Sequence, residues 1–303
     1  MKDTTPAPVT PSPATPTLRG EHAAYTRYVA IGDSFTEGMA DPDPVRANSY
    51  VGWADRLAVH LAGLAGLAGM AAVAGVAGTG GESAPSFGYA NLAIRGRLLA
   101  DIAGRQVDNA LALAPDLVSI VGGGNDILRP RADIDALAAR LEDAVSRLRA
   151  SGADVLLATP SDPRDAPLIK ASRGRAATYT AHIWSIARRH DARVIDLWGM
   201  DAIRDWRMWA PDRIHLTPEG HRRVALNAFT ALGFTAPDPG WDIPLPAAAP
   251  VSRADAARAT ARWAREYVGP WVQRRIRGQS SGDTISAKRP AVTPIDGGGL
   301  LES

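Results

Sequence analysis

The sequence predicts an α/β protein, a three-layer α/β/α sandwich around a mostly parallel sheet of five strands. Short apolar runs bounded by turn residues alternate along the chain with longer segments that have helical spacing. Strands that alternate with helices pair in parallel, because each helix returns the chain to the same end of the sheet. Ligands bind beyond the carboxyl ends of such strands, so we expect the functional residues just after the apolar runs.

Each predicted element has its own signal. The predicted strands are the five apolar runs Tyr28–Ile31, Tyr89–Ala93, Leu117–Val121, Val155–Ala158 and Val194–Leu197. The predicted helices are five segments of helical spacing, roughly 49–63, 98–114, 133–150, 172–190 and 217–232. Asp133 is the predicted N-cap of the third helix, and Gly152 is its end signal. Thr217, followed by Pro218 at the first helical position, is the predicted N-cap of the last helix.

The composition excludes several classes of protein. The chain has 303 residues, 46% of them hydrophobic, with 34 Lys and Arg against 32 Asp and Glu and no cysteine. That length can bury a sizeable core, and a formal charge of +2 does not suggest a dedicated nucleic-acid binder. Without cysteine there is no disulfide, no thiolate nucleophile and no Cys-based metal site. A cysteine-free chain suits a reducing compartment, so we expect a cytoplasmic protein, and nothing in the sequence calls for a cofactor.

Three regions are expected along the chain. Residues 1–24 are rich in Pro and Thr and lack the apolar run of a secretory signal, so we expect a disordered arm. Residues 25–236 form the predicted globular domain. Residues 237–303 form an extension that is expected to be basic and partly helical, because nine basic and three acidic side chains lie between positions 253 and 289.

An Ala/Gly-rich segment at about 62–86 is expected to be an insertion in the domain. Residues 61–78 are uncharged, but their six larger apolar side chains recur at every third position and therefore drift around a helix. Each of the five glycines in that stretch would cost about 1 kcal/mol relative to Ala in a helix. We therefore expect a flexible or partly helical surface insertion rather than a membrane span.

Within the extension, residues Arg253 to Val268 are predicted to form a helix that carries Trp263 and Tyr267. Two interpretations of this helix stay open. A basic helix with aromatic side chains can make weak contact with an anionic membrane surface. Alternatively, the two rings pack onto the domain while the arginines stay in water, which the modest apolar face favours.

Residues that can carry chemistry follow three of the predicted strands. Ser34 leaves the first strand at a glycine turn, so its hydroxyl and its own backbone N–H point into the same space. Gly96 follows the second strand and allows a close approach of the backbone to a ligand. Asn125 follows the third strand after three glycines and offers a neutral amide donor. Taken singly, each of these features is equally well explained by an ordinary turn.

Asp212 and His215 lie on a loop before the last predicted helix. Residues three apart on a loop can face one another, so Asp212 can hold the imidazole tautomer while His215 takes a proton from Ser34. A metal site of Asp212, His215 and His221 is a weaker hypothesis, because it supplies only three ligands and leaves the strand-end residues unexplained. His221 is more simply a packing residue on the following helix.

Taken together, these residues resemble the SGNH subfamily of the GDSL esterase/lipase family. The matching blocks lie in order over roughly residues 25–235: GDSFTEG with Ser34, NLAIRG with Gly96, GGND with Asn125, and Asp212 three residues before His215. The resemblance implies an SGNH or flavodoxin-like fold and a serine ester hydrolase that acts through an acyl-serine on small acyl or acetyl esters. Ser34 would be the nucleophile, His215 the general base, and Asp212 the residue that orients His215. The backbone N–H groups of Ser34 and Gly96 and the side chain of Asn125 would form the oxyanion hole.

Two other function classes stay open at this stage. An acyltransferase would pass the acyl group to a sugar or other alcohol, and a non-catalytic binding module would keep only the fold. The expected partner is a small-molecule ester, without nucleic acid or metal. Asp33 and Asp126 are expected to be structural, each accepting N–H bonds from loops beside the site. Trp198, Trp206 and Trp209 are expected either to line a substrate pocket or to pack in the core.

Overall fold

The described part of the chain is built around one sheet with helices on both faces. The computed structural model describes residues 25–75, 87–166, 169–268 and 281–295. The expected disordered arm, residues 1–24, lies outside the described residues. Residues 76–86 of the Ala/Gly-rich segment also lie outside them.

The sheet has six strands. They are β1 (Arg27–Gly32), β2 (Gly88–Asn91), β3 (Leu117–Val121), β4 (Asp154–Ala158), β5 (Arg193–Ile195) and β6 (Arg289–Pro294). Their order is β5-β4-β3-β1-β2-β6, and the first five pair in parallel. The α/β class and the flavodoxin-like order of these five strands are confirmed. The expected number of five strands is wrong by one, because β6 comes from the C-terminal extension and pairs antiparallel with β2.

Helices cover both faces of the sheet. They are α1 (Ser34–Glu37), α2 (Gly52–Gly75), α3 (Leu99–Asp101), α4 (Val107–Ala112), α5 (Gly124–Ile127), α6 (Ile134–Ala150), α7 (Arg173–His190), α8 (Pro218–Ala231) and α9 (Arg253–Trp263). π-Helical turns at Ile102–Gln106 and Ala264–Val268 join α3 to α4 and continue α9. Successive strand residues point to opposite faces. One apolar core therefore packs against α3, α4, α6 and α7, and the other packs against α2 and α8.

The predicted helix ends are confirmed by local contacts. The Asp133 side chain accepts the Ala136 N–H at 3.0 Å and caps α6, which ends before Gly152 with its φ of 89°. At the start of α8, the Thr217 hydroxyl accepts the Gly220 N–H at 3.3 Å. Because this cap fixes the first turn of α8, it also fixes the end of the loop that carries His215.

The first part of the Ala/Gly-rich segment is helical. Helix α2 begins at Gly52 and continues without a break to Gly75, well beyond its predicted end at 63. Its early turns are held in the core, where Trp53, Leu57 and Leu61 pack with side chains of α8. None of the helices in the described ranges is long and apolar enough to cross a membrane.

The C-terminal extension packs onto the domain at two places. At the sheet edge, next to β6, the buried ammonium of Lys288 pairs with Asp55 at 2.9 Å. On the other side, the indole Nε1 of buried Trp263 donates to the carbonyl oxygen of Asp212 at 2.8 Å. The predicted helix is thus present, and its tryptophan contacts the loop that carries Asp212. Weak membrane contact through the arginines of the extension stays a prediction.

Candidate active site

Ser34 lies at the junction of β1 and α1. The Gln106 side chain holds the end of β1, because it bonds the N–H and the carbonyl oxygen of Gly32 at 2.8 and 3.0 Å. Asp33 caps α1 by accepting the Phe35 N–H at 3.0 Å. Ser34 is therefore the first residue of a helix, and its N–H has no hydrogen-bond partner among the described residues. Such an N–H beside a serine hydroxyl is available to an anion.

A partly buried ion pair fixes the turn that holds Gly96. Glu37, at the end of α1, pairs with the Arg95 guanidinium and also accepts the Arg95 backbone N–H at 2.8 Å. The same guanidinium lies over the ring of Tyr50, with its carbon 5.1 Å from the ring centroid. Gly96 follows with a φ of 73°, a left-handed conformation that glycine adopts at little cost. Its N–H, too, has no hydrogen-bond partner in the described part of the chain.

The glycines after β3 make room for a tyrosine. Gly123 has a φ of 96°, and a Cβ at this position would fall 2.8 Å from the ring of Tyr179. The Tyr179 hydroxyl donates to the carbonyl oxygen of Gly122 at 3.2 Å. This close packing explains why no side chain is tolerated at Gly123, just before Asn125.

Asn125 bridges the first two loops of the site. Its Nδ2 donates to Asp33 Oδ2 and to the carbonyl oxygen of Arg97, both at 3.1 Å. Both amide hydrogens are therefore engaged by protein groups. An oxyanion that binds at this amide must share or replace one of these two bonds, and the amide meanwhile ties the loop of Ser34 to the loop of Gly96.

Asp212 and His215 are in direct contact. Asp212 Oδ2 lies 2.6 Å from His215 Nδ1, and Asp212 Oδ1 accepts the backbone N–H groups of Ile214 and His215 at 2.9 and 3.0 Å. Burial alone would raise the pKa of Asp212, but the bonds and charge of His215 outweigh it, so this pKa lies below its ordinary value. An ionised Asp212 can accept the Nδ1–H of the imidazole and leave Nε2 available to take a proton.

Two further carboxyl groups lie beside the site. Burial raises the pKa of Asp33 to about 6, against the opposing effects of the Phe35 N–H and the charge of His215. Burial also raises the pKa of Asp126, whose Oδ2 accepts the Leu99 N–H at 2.9 Å. Both carboxyl groups bond to loop groups, as expected for structural residues.

His221 belongs to the core and stays apart from the Asp212–His215 pair. Its Nδ1 accepts the Trp53 N–H at 3.2 Å, and its Nε2 donates to the carbonyl oxygen of Met39 at 3.1 Å. Burial lowers the pKa of His221 to about 3, so the ring is neutral. Across the described ranges, no group of three or more His, Asp or Glu side chains is placed to hold a metal ion.

One cavity brings the candidate residues together. Ser34, Asn125 and His215 all line a cavity of about 200 Å³ at the carboxyl edge of the parallel strands. Gly96 lies in the adjacent turn and is not one of the residues that line this cavity. Asp212 contacts His215 and faces a second pocket next to the cavity. The structure therefore gathers a hydroxyl, an imidazole–carboxylate pair and an amide in one small space.

The three tryptophans named above separate into two groups. Trp209 lines the cavity, and Trp206 lies with it on the neighbouring pocket. Trp198 instead packs against the core, with the Arg173 guanidinium over its ring at 5.6 Å. Two of the three rings are thus close enough to contact a molecule bound at the site.

Comparison with known families shows the family of the chain. A profile of the GDSL-like lipase/acylhydrolase family matches residues 30–223, more than half of the chain. The chain belongs to this family. The match includes every candidate residue from Ser34 to His215 and ends before the C-terminal extension. The GDSL-like region is therefore the part of the chain to which family membership applies.

Two solved structures, each with a TM-score of 0.52, share the fold of this GDSL-like chain. A protein from Parabacteroides merdae, described as a GDSL-like lipase, has a TM-score of 0.52 at 20% identity and covers 68% of this chain and 95% of its own. LAE5, an α/β hydrolase from the Lake Arreo metagenome, has a TM-score of 0.52 at 22% identity, with coverages of 71% and 98%. The acetylxylan esterase Axe2 from Geobacillus stearothermophilus has a TM-score of 0.49 at 19% identity, with coverages of 69% and 94%. No curated protein sequence matches the chain significantly.

Three supports of the GDSL-like site were not expected from the sequence. Glu37 lies inside the GDSFTEG block, so an acidic residue one turn after the serine was a signal that could have been noticed. Gln106 lies in a helical segment far from the block whose strand it holds, and the sequence carries no signal for that contact. Trp263 lies beyond the family match, and only the structure brings it to Asp212.

Proposed function

We propose that this GDSL-family chain is a serine ester hydrolase that uses Ser34, His215 and Asp212 to cleave esters of small acyl groups. The main support is the 2.6 Å contact between Asp212 Oδ2 and His215 Nδ1, with His215 and Ser34 on the same cavity. An imidazole held by a carboxylate is the usual means by which an enzyme activates a serine hydroxyl.

The first half of the reaction forms an acyl-serine. Ser34 Oγ attacks the ester carbonyl carbon while His215 Nε2 takes the hydroxyl proton, and Asp212 stabilises the charged imidazole. The tetrahedral intermediate carries a negative charge on the former carbonyl oxygen. When it collapses, the bond to the alcohol oxygen breaks and His215 gives its proton to that oxygen. The alcohol leaves and the acyl group stays on Ser34.

The second half releases the acid. A water molecule gives a proton to His215 and attacks the acyl carbon, and the second tetrahedral intermediate expels the Ser34 oxygen, which takes the proton back. In both halves the oxyanion would be bound by the N–H groups of Ser34 and Gly96, which have no other partner among the described residues. Asn125 would add its amide by giving up the bond to Asp33 or to Arg97.

Pre-steady-state hydrolysis of p-nitrophenyl acetate tests the proposal. The wild type is expected to give a burst of p-nitrophenol when acylation is faster than deacylation, and Ser34→Ala is expected to lose both the burst and the turnover. Ser49→Ala, outside the cavity, is a matched control that is expected to behave as wild type. Undiminished turnover by a folded Ser34→Ala variant would contradict the assignment. Analysis of the products with an added alcohol or sugar would separate hydrolysis from acyl transfer.

A further inference from the structure

A second pocket with aromatic walls adjoins the catalytic cavity. It has a volume of about 300 Å³, at the small end of the range for sites that hold a small organic molecule. Trp206, Trp209, Trp263 and Tyr267 contribute to its walls, and we refer to it as the aromatic pocket. Trp209 and Ile214 line both the aromatic pocket and the cavity of Ser34, so the two spaces are neighbours.

The C-terminal extension supplies part of this pocket. Trp263 and Tyr267 lie on α9 and its π-helical continuation, beyond the end of the family match at 223. Trp263 is fixed there by its bond to the Asp212 carbonyl oxygen at 2.8 Å and by the Arg213 guanidinium, 4.9 Å from its ring centroid. The pocket is therefore a feature of this chain rather than of the GDSL-like region alone.

The position of the pocket indicates which arm of an ester it would hold. In the proposed mechanism, the leaving alcohol takes its proton from His215 Nε2. The ester oxygen that joins the acyl group to the alcohol arm therefore lies beside His215. Asp212, Arg213 and Ile214, the three residues before His215, all line the aromatic pocket. The acyl group would occupy the smaller cavity, next to Ser34 and Asn125.

The chemistry of the walls favours an apolar ring. Two large apolar side chains that line this pocket are exposed to solvent: Trp206 is 40% exposed and Ile214 is 46% exposed. Exposed apolar surface of this kind is expected where a ligand covers it. The pocket also has six charged side chains, and each already contacts a protein partner: Asp162, Asp165, Arg175, Arg204, Asp212 and Arg213. The aromatic side chains among the walls, Trp206, Trp209, Trp263 and Tyr267, therefore decide the preference, because aromatic faces stack well on flat apolar rings.

We propose that the aromatic pocket binds the alcohol arm of the substrate and that this arm carries an apolar ring system. The inference rests on the proposed esterase function, because it uses the position of the leaving group. Selectivity for the alcohol would then be shared between the C-terminal extension and the GDSL-like region, while the chemistry resides in the GDSL-like region.

Hydrolysis of three esters tests this assignment. 2-Naphthylmethyl acetate places the ring on the alcohol arm, methyl 2-naphthylacetate places it on the acyl arm, and ethyl acetate has no ring. All three leaving groups are unactivated alcohols of similar acidity, so differences in kcat/KM report mainly binding of the two arms. The wild type is expected to prefer 2-naphthylmethyl acetate over each of the other esters by about tenfold or more, which corresponds to the contact of one ring with aromatic walls.

Variants of the pocket make the test specific. Tyr267→Ala and Trp206→Ala are each expected to reduce the preference for 2-naphthylmethyl acetate over ethyl acetate by about fivefold or more. Trp184→Ala removes another exposed indole, 46% exposed on α7, and is expected to keep the wild-type preference. An unchanged preference in both pocket variants, or a wild-type preference for methyl 2-naphthylacetate, would overturn the assignment.

Equilibrium binding separates failure of this inference from failure of the proposed function. The Ser34→Ala variant is expected to bind 2-naphthylmethanol in a calorimetric titration, and the Ser34→Ala/Tyr267→Ala variant is expected to bind it at least fivefold more weakly. If the wild type hydrolyses none of the esters but this binding difference is seen, the esterase function fails and the pocket still binds a ring. Absence of binding to Ser34→Ala would overturn the pocket assignment whatever the hydrolysis shows.

Discussion

Replacing Lys288 with Met tests how the C-terminal extension is joined to the domain. Lys288 Nζ pairs with Asp55 at 2.9 Å and donates to the backbone carbonyl oxygens of Tyr50 and Val51 at 2.9 and 2.6 Å. The two charged side chains are 9% and 2% exposed, so water replaces little of this network. Met has nearly the same length and fills the same space, so the change removes the charge without opening a large cavity.

The expected loss of stability follows from the partners that remain. Breaking a buried ion pair by removing one partner costs about 3–5 kcal/mol, because the other charge is left buried. Asp55 keeps the Tyr89 hydroxyl at 2.7 Å and the Asn91 amide at 3.3 Å, which places the expected loss near the lower end of that range. We therefore expect Lys288→Met to lower the free energy of unfolding by about 3 kcal/mol.

Equilibrium unfolding in urea measures this loss. Lys170→Met is the matched control, because Lys170 is exposed and its described hydrogen bonds are made by its backbone. The control is expected to change the free energy of unfolding by less than about 0.5 kcal/mol. Asp55→Asn/Lys288→Met is expected to be more stable than Lys288→Met alone, since it leaves no buried charge, and it keeps the test usable if the single variant unfolds. A loss below about 1 kcal/mol for Lys288→Met would refute the buried pair.

Three further predictions concern the site and its surroundings. Asn125→Ala is expected to lower kcat by about 10²–10³-fold in ester hydrolysis, as for loss of one oxyanion donor, and an unchanged kcat would remove the residue from that role. Asp212→Asn is expected to lower kcat by about 10²–10⁴-fold, because an amide no longer fixes the tautomer or stabilises the charge of His215; a small effect would indicate that the imidazole acts without this carboxylate. Burial holds the pKa of His221 at about 3 in the folded chain, below its ordinary value. At a pH between the folded and the ordinary pKa, the unfolded chain therefore binds a proton on this ring that the folded chain does not. Above about pH 6.5, His221 therefore causes no loss in the free energy of unfolding. At pH 4 the loss caused by this group reaches roughly 3 kcal/mol. Urea titrations at pH 7 and pH 4 are expected to show a smaller pH-dependent loss for His221→Gln than for the wild type, and equal losses would contradict the assignment.

Local signals were enough to predict the parallel sheet and most of the helices. The apolar runs predicted β1 to β5 to within one or two residues, and the Asp133 and Thr217 caps predicted the starts of α6 and α8. Strand β6 gave no such signal, because its sequence RPAVTP contains two prolines and is mostly exposed. Proline is tolerated there because β6 lies at the edge of the sheet, where a missing N–H donor costs little. Its pairing depends on β2, which is some 200 residues earlier in the chain.

The candidate site divides in the same way between local and distant signals. The spacing of Asp212 and His215 anticipated their contact, since residues three apart on a loop can meet. The engagement of both Asn125 amide hydrogens could not be anticipated, because it depends on where the Arg97 carbonyl oxygen lies in the fold. The aromatic pocket depends on the docking of Trp263, 51 residues after Asp212, and no periodicity or motif specifies that contact.

Labelling with a fluorophosphonate probe tests the central claim, that Ser34 is a nucleophile activated by His215. The probe reacts with activated serine hydroxyls, and peptide mass mapping locates the adduct. We expect a single adduct on the peptide that contains Ser34, loss of that adduct in Ser34→Ala, and much slower labelling in His215→Ala. An unlabelled wild-type chain, or an adduct on a different serine that persists in Ser34→Ala, would contradict the account.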